Sequence, residues 1–143
     1  MNIAFYLTPK MNVTTLLDTC SLDPGLDELR RQGYSAVPVV MAENQYVGTV
    51  SESDILRYLL AHRETADRSL ADTPIAAVMR PDGNPAVRIT ADMEDLFSHV
   101  LNQSFVPVVD DLGSFVGIVT RKVVIQHLYS AISEGGGDRR EEP

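Results

Sequence analysis

An internal repeat constrains this chain more than any other feature. Val37-Pro38-Val39-Val40 followed by Val47-Gly48-Thr49-Val50-Ser51 recurs as Val106-Pro107-Val108-Val109 followed by Val116-Gly117-Ile118-Val119-Thr120, a shift of 107 − 38 = 69 residues. The same shift superimposes Ser35 on Ser104 and Leu59 on Leu128, so the register holds without a gap between those points. A repeat of this length is two copies of one supersecondary module packed about a pseudo-two-fold axis. A functional site is therefore expected at the seam between the copies.

Length agrees with this reading, because 143 residues make about one domain and neither half would bury much core alone. With 44% hydrophobic residues, no Trp and apolar runs broken every few positions, the chain is expected to be soluble and globular. Met1 to Leu7 is apolar but short, carries no basic n-region and meets Pro9-Lys10. Neither a signal peptide nor a membrane span is expected there, and the predicted location is cytoplasmic. The single cysteine, Cys20, permits no internal disulfide and no cysteine metal site, and Thr19 and Ser21 beside it offer no activating base. It is expected to be a small buried filler. The net charge of −8 argues against a nucleic-acid partner, since such proteins carry a basic face that releases counterions.

Ser21 is placed to cap a helix in which Leu22, Leu26 and Leu29 recur at helical spacing and which stops at Gly33. Ala36 to Val40 and Tyr46 to Val50 read as a hairpin around Ala42-Glu43-Asn44-Gln45. Ser51-Glu52-Ser53-Asp54 opens a second helix with Ile55, Leu56, Leu59 and Leu60 on one side. The second copy repeats the plan. Thr90 or Asp92 caps a helix carrying Met93, Leu96, Phe97, Val100 and Leu101. Phe105 to Val109 and Phe115 to Val119 flank a turn, and Thr120 opens a helix running to about Ile132. Ala61 to Asp72 reads as a polar link, and Pro74 to Met79 as a short helix with Pro at its first position. The Gly135-Gly136-Gly137 run and the charged end after it predict a disordered tail over 133–143.

Short strands around Met11 to Leu16 and Pro85 to Ile89 complete a β-α-β-β-α unit in each half, which makes the fold class α+β. The repeats are assigned to 1–68, with the N-terminal segment and linker, and to 69–132. The chain then resembles a tandem pair of CBS domains, the cystathionine-β-synthase module. The resemblance is carried by Gly33 to Val40 with Gly48 to Leu56 in the first copy, and by Ser104 to Val109 with Val116 to Val124 in the second. It covers about residues 8 to 132.

A helix that opens directly after a strand presents unpaired N–H groups and a positive dipole end, which together suit a phosphate. Ser51 and Thr120 occupy those positions and can add a hydroxyl. One turn in, Asp54 stands where the resemblance implies a carboxylate that accepts hydrogen bonds from a ribose diol. Two alternatives stay open at this point: Ser51 is only an N-cap, and Asp54 only stabilises the first turn. The resemblance further implies that the second copy holds the base. That sets Ser51 and Asp54 against Asn84, Pro85, Ala86 and Val87 with Gln103, Ser104, Phe105 and Val106. In the mirror cleft Thr120, Arg121 and Lys122 face Lys10, Met11 and Val13 with Tyr34, Ser35, Ala36 and Val37. Tyr34 and Phe105 offer rings near an adenine, or are ordinary core.

The copies differ where Asp54 maps onto Val123, which cannot hydrogen-bond a ribose. Cleft one keeps the carboxylate but also carries Glu52, so phosphate there needs Arg80 or Arg88 to reach in. Cleft two lacks the carboxylate and gains Arg121 and Lys122. A cyclic dinucleotide has phosphates but no free ribose diol and fits that exchange. Thr120 to Val124 opposite Tyr34-Ser35-Ala36 resembles the CBS-pair proteins of Gram-positive bacteria that sense cyclic di-AMP. No catalytic or metal pattern is present: His62, His99 and His127 are widely spaced, and no P-loop or nucleophile motif occurs. The expectation is a non-enzymatic sensor of AMP, ADP or ATP without a further cofactor, homodimeric and signalling to a protein partner. The alternatives are a cyclic di-AMP receptor using the Thr120-Arg121 cleft, and a ligand-free interaction module.

Overall fold

The structure is a computed structural model that describes residues 2–64, 71–80 and 83–141, with side chains through Glu134. Two sheets carry the repeats. In the first copy β2 (Leu16–Leu17) runs parallel to β3 (Ala36–Val40), which pairs antiparallel with β4 (Tyr46–Ser51). In the second, β5 (Val87–Arg88) runs parallel to β6 (Phe105–Val109), which pairs antiparallel with β7 (Phe115–Thr120). Each β-β hairpin slips register at the same place, Val39/Val40 and Val108/Val109. Each needs a left-handed residue in its turn, supplied by Asn44 (φ 71°) in one copy and Gly113 (φ 82°) in the other.

The helices follow the predicted starts and stops, with four differences. Helix α1 (Leu22–Gln32) begins after Ser21, whose hydroxyl makes no capping bond, and ends at left-handed Gly33. Helix α2 is Glu52–Ala61, and α4 (Met93–Val100) is capped by Asp92 rather than Thr90. The short helix α3 spans Ile75–Val78, so Pro74 is its N-cap, in extended backbone, and not its first helical residue. Leu56, Leu60 and Leu101, which the helical spacing groups with the core-facing residues, are exposed. Helix α5 (Arg121–Glu141) continues past Ile132 through the three glycines, a correction to the tail expected from 133. Glycine costs a helix about 1 kcal/mol relative to alanine but does not bar it sterically, so a nucleated helix can run on. The central part of the Ala61 to Asp72 link, 65–70, lies outside the described residues, and so does the expected repeat boundary at 68/69.

Packing crosses that boundary in both directions. The N-terminal segment sends Ile3 into the second copy's core, with Val87, Leu96, Val106, Val108 and Val119. It also adds strand β1 (Thr8–Pro9) to the edge of β7. In return α3, which leads the second copy, buries Ile75 and Val78 in the first copy's core beside Leu16, Leu29, Val37 and Val39. Burying an aliphatic side chain of this size completely stabilises by about 1.5–3 kcal/mol. The repeated Val-Gly pair accepts both crossings. A Cβ on Gly117 would lie 2.2 Å from the Thr8 carbonyl oxygen, and one on Gly48 would lie 2.5 Å from Met79 Cε. The two hairpins then meet at the seam, where the Tyr46 amide donates to the Gly113 carbonyl and the Phe115 amide to the Asn44 carbonyl. Among the described residues, no helix is long and apolar enough to cross a membrane.

Two candidate nucleotide clefts at the seam

Cleft one, about 230 Å³, lies between the start of α2 and the segments that lead into α3–β5 and β6. It brings Ser51 and Asp54 together with Asn84, Gln103, Ser104 and Phe105, as the resemblance to CBS pairs implies. Ser51 caps α2 with its Oγ accepting from the Asp54 amide at 3.1 Å, and Asp54 Oδ2 accepts from the Ser51 amide at 2.9 Å. The capping role of both residues is therefore realised. Asp54 is nonetheless only 3% exposed and is more than a cap. Its Oδ1 accepts from Arg57 Nη1 at 3.2 Å and pairs with Arg80 Nε at 3.0 Å. Of the two cations expected near this cleft Arg80 lines it, whereas Arg88 lies in a separate depression with Asp95 and His99. Glu52 faces away, into a groove between α1 and α2. Pro85 lends its carbonyl to Gln103 Nε2 at 3.3 Å, Ala86 is half-buried beside it, and Val87 and Val106 belong to the core.

A polar network that the repeat did not foretell sits at this cleft. Gln103 Nε2 donates to Asn84 Oδ1, and Asn84 Nδ2 donates to Thr49 Oγ1 at 3.0 Å. Tyr46 donates its hydroxyl proton to the Asn84 carbonyl at 2.6 Å, so Thr49 is the donor in its 2.8 Å bond to Tyr46. Burial pushes the Tyr46 hydroxyl up to about 12. The signal was the inward-facing Thr49 within an otherwise apolar strand, where the second copy has Ile118.

Cleft two, about 280 Å³, brings Thr120 together with Val13, Tyr34, Ala36 and Val37, and adds Thr8, Asn12, Thr14 and Ile118. Ala36, Ser104 and Phe105 line both clefts and form the wall between them. Tyr34 is 46% exposed, an aromatic face open to the cleft, whereas Phe105 is largely buried. Thr120 Oγ1 accepts from the Val123 amide at 3.2 Å, half of a capping box that Val123 cannot complete. The Ser35 and Ser104 carbonyls accept the Glu52 and Arg121 amides at 2.9 Å, so the first amide of each helix is already occupied. Lys10 and Met11 are exposed on a 3-10 turn, and neither lines the cleft. The cations after Thr120 do not enter it in this structure. Arg121 Nε donates to the Val100 carbonyl at 2.9 Å, its side chain lines a groove between α4 and α5, and Lys122 is exposed.

Other candidates resolve as structural. Cys20 is only partly buried against the first copy's core rather than fully buried as expected, and desolvation, with Glu28 nearby, raises its thiol pKa. The His62 and His99 rings bond the carbonyls one turn back, and His127 bonds the Tyr6 hydroxyl at 2.7 Å. Among the described residues no three His, Cys, Asp or Glu side chains are placed to hold a metal ion.

Comparison with known proteins places this geometry. Cyclic di-AMP receptor B of Bacillus subtilis (strain 168) is 29% identical over 108 residues, 76% of this chain and 73% of that protein. A crystal structure of CbpB in complex with c-di-AMP matches with a TM-score of 0.85 at 28% identity, covering 96% of this chain and 91% of that one. The CbpB protein of Listeria monocytogenes in complex with c-di-AMP matches with a TM-score of 0.80 at 28% identity, covering 92% and 97%. The CBS domain model matches twice, at residues 6–61 and 75–130. With two matched repeats packed about one seam, the chain belongs to the CBS domain family.

Proposed function

We propose that this chain is a non-enzymatic regulatory module whose ligand is cyclic di-AMP, bound in cleft two. One observation carries the reading: of two clefts built from the same repeat, cleft two replaces the carboxylate with Val123 and offers apolar walls and the open Tyr34 ring. A ligand without a free ribose diol loses nothing there. The likeness to receptors that bind c-di-AMP supports the same choice. The Thr120 hydroxyl, which accepts from the Val123 amide and keeps its proton to donate, serves a phosphate, and Arg121, one residue on, turns in from Val100 to complete the contact. Affinity that differs between two arrangements of the seam is enough to pass a signal to a protein partner. Exposed Leu56 and Leu60 on α2 and Ile125 and Tyr129 on α5 support pairing with a second copy.

A second reading places AMP, ADP or ATP in cleft one, favoured by Asp54 and Arg80 lining the same cavity. Thermal unfolding with each ligand at about a hundredfold excess over Kd separates the two, since such binding stabilises by about 2.7 kcal/mol. Cyclic di-AMP should raise the midpoint, Tyr34→Ala or Arg121→Ala should abolish the rise, and Asp54→Ala should leave it. A rise with AMP alone, lost in Asp54→Ala, moves the function to cleft one. No rise with any of the four leaves the ligand-free interaction module.

A further inference from the structure

We propose that Arg80 is a latch on cleft one that a ribonucleotide bearing a phosphate opens and a bare nucleoside opens poorly. The proposal rests on reading the seam as a nucleotide site. Asp54 is 3% exposed, and both of its oxygens are engaged. Oδ2 takes the Ser51 amide, while Oδ1 takes Arg57 at 3.2 Å and Arg80 at 3.0 Å. A carboxylate offers about four acceptor positions in all, so Oδ1 has no room for a ribose diol while both arginines stay.

The two arginines are not equivalent. Arg57 stands on α2 itself, three residues after Asp54, and moves with it. Arg80 stands on a separate segment, just after α3, and lines the cavity. Its side chain is 63% exposed, and among the described residues Asp54 is its one charged partner. Arg80 is therefore the group that can leave. Removing it exposes a buried carboxylate to the loss of one cation, which ribose hydroxyls offset only in part. A phosphate on the same ligand takes the released guanidinium, for which a bidentate contact suits the fork of Arg. The ligand's two ends thus exchange places with the two halves of one ion pair. Cleft two has no counterpart, because Val123 replaces the carboxylate.

Calorimetric titration of the full chain with AMP, adenosine and cyclic di-AMP tests this. The wild type should bind AMP at least about tenfold tighter than adenosine, a difference typical of one charge-assisted contact. In Arg80→Gln the AMP affinity should fall about tenfold and that of adenosine rise about threefold, so the preference vanishes. Arg80→Lys should keep part of it, and Asp54→Asn should weaken both ligands. Equal changes for AMP and adenosine in Arg80→Gln, or none, overturn the latch. If the wild type binds cyclic di-AMP but neither AMP nor adenosine, the latch fails and the proposed function stands. If AMP and adenosine behave as expected while cyclic di-AMP does not bind, the latch stands and the cyclic-dinucleotide reading fails.

Discussion

The two clefts occupy equivalent positions of one duplicated unit, and both keep a capping hydroxyl at Ser51 and Thr120, yet their chemistry has diverged at three corresponding positions. Tyr46, Thr49 and Asp54 of the first copy correspond to Phe115, Ile118 and Val123 of the second. In the first set Tyr46 and Thr49 form a polar network with Asn84 and Gln103, and Asp54 forms a separate one with two arginines. The second keeps the backbone and loses the network. Tyr46 and Phe115 still stack across the seam, with centroids 6.1 Å apart, so shape was retained while hydrogen bonding was lost on one side. Duplication supplies two equal cavities, and substitution at a few inward positions turns them into sites with different demands. A further asymmetry lies at the glycines: Gly117 faces backbone, whereas Gly48 faces only the flexible end of Met79.

That glycine contrast yields the largest expected effect. Gly117→Ala should destabilise by more than about 3 kcal/mol in urea unfolding, because its Cβ meets the Thr8 carbonyl and β1 must detach. Gly48→Ala shares the backbone strain of a positive φ (156°) but meets only Met79, which can change rotamer, so it should cost less, about 1–3 kcal/mol. Equal losses would erase the asymmetry. Next in size is the alkaline limit of stability. Tyr46 titrates near 12 when folded against 10 when unfolded, so its contribution is complete below about pH 10 and is lost as pH rises towards 12. Wild type minus Tyr46→Phe, followed by urea midpoints over that window, should change by about 2–3 kcal/mol. A flat difference would mean that Tyr46 is hydrated. Smallest is the exchange that makes the clefts alike. Val123→Asp should complete the capping box with Thr120 and reduce cyclic di-AMP affinity about fivefold, by like charge near its phosphates. Unchanged affinity would move that ligand out of cleft two.

The strands, hairpins and helix starts could be read from the chain because each rests on local chemistry: β-rich runs, a left-handed turn residue, a capping Ser or Asp. The two helix starts were legible because a fixed shift of 69 residues carries Ser51 onto Thr120 and Asp54 onto Val123, whereas the residues facing them came from the resemblance to CBS pairs. What the chain did not disclose depends on distant partners. Thr8–Pro9 is too short to announce itself as a strand and exists only because β7 offers an edge. Arg121 was expected to face a cleft, but a long side chain selects among rotamers by what lies around it, and here the Val100 carbonyl holds it. Tyr46, Asn84 and Gln103 lie far apart in sequence, so their network forms only once the seam closes.

The crossing of the leading segments has a consequence for cooperativity. Each half keeps the other's opening residues, Ile3 and Thr8 on one side, Ile75 and Val78 on the other. Cutting the chain between the repeats would therefore not release two smaller folded bodies. Each fragment would carry an apolar hole where its neighbour's first turn belongs, together with an orphaned lead of its own. The duplication is thus held as a single unfolding unit, and neither copy can be deleted while the other is kept intact.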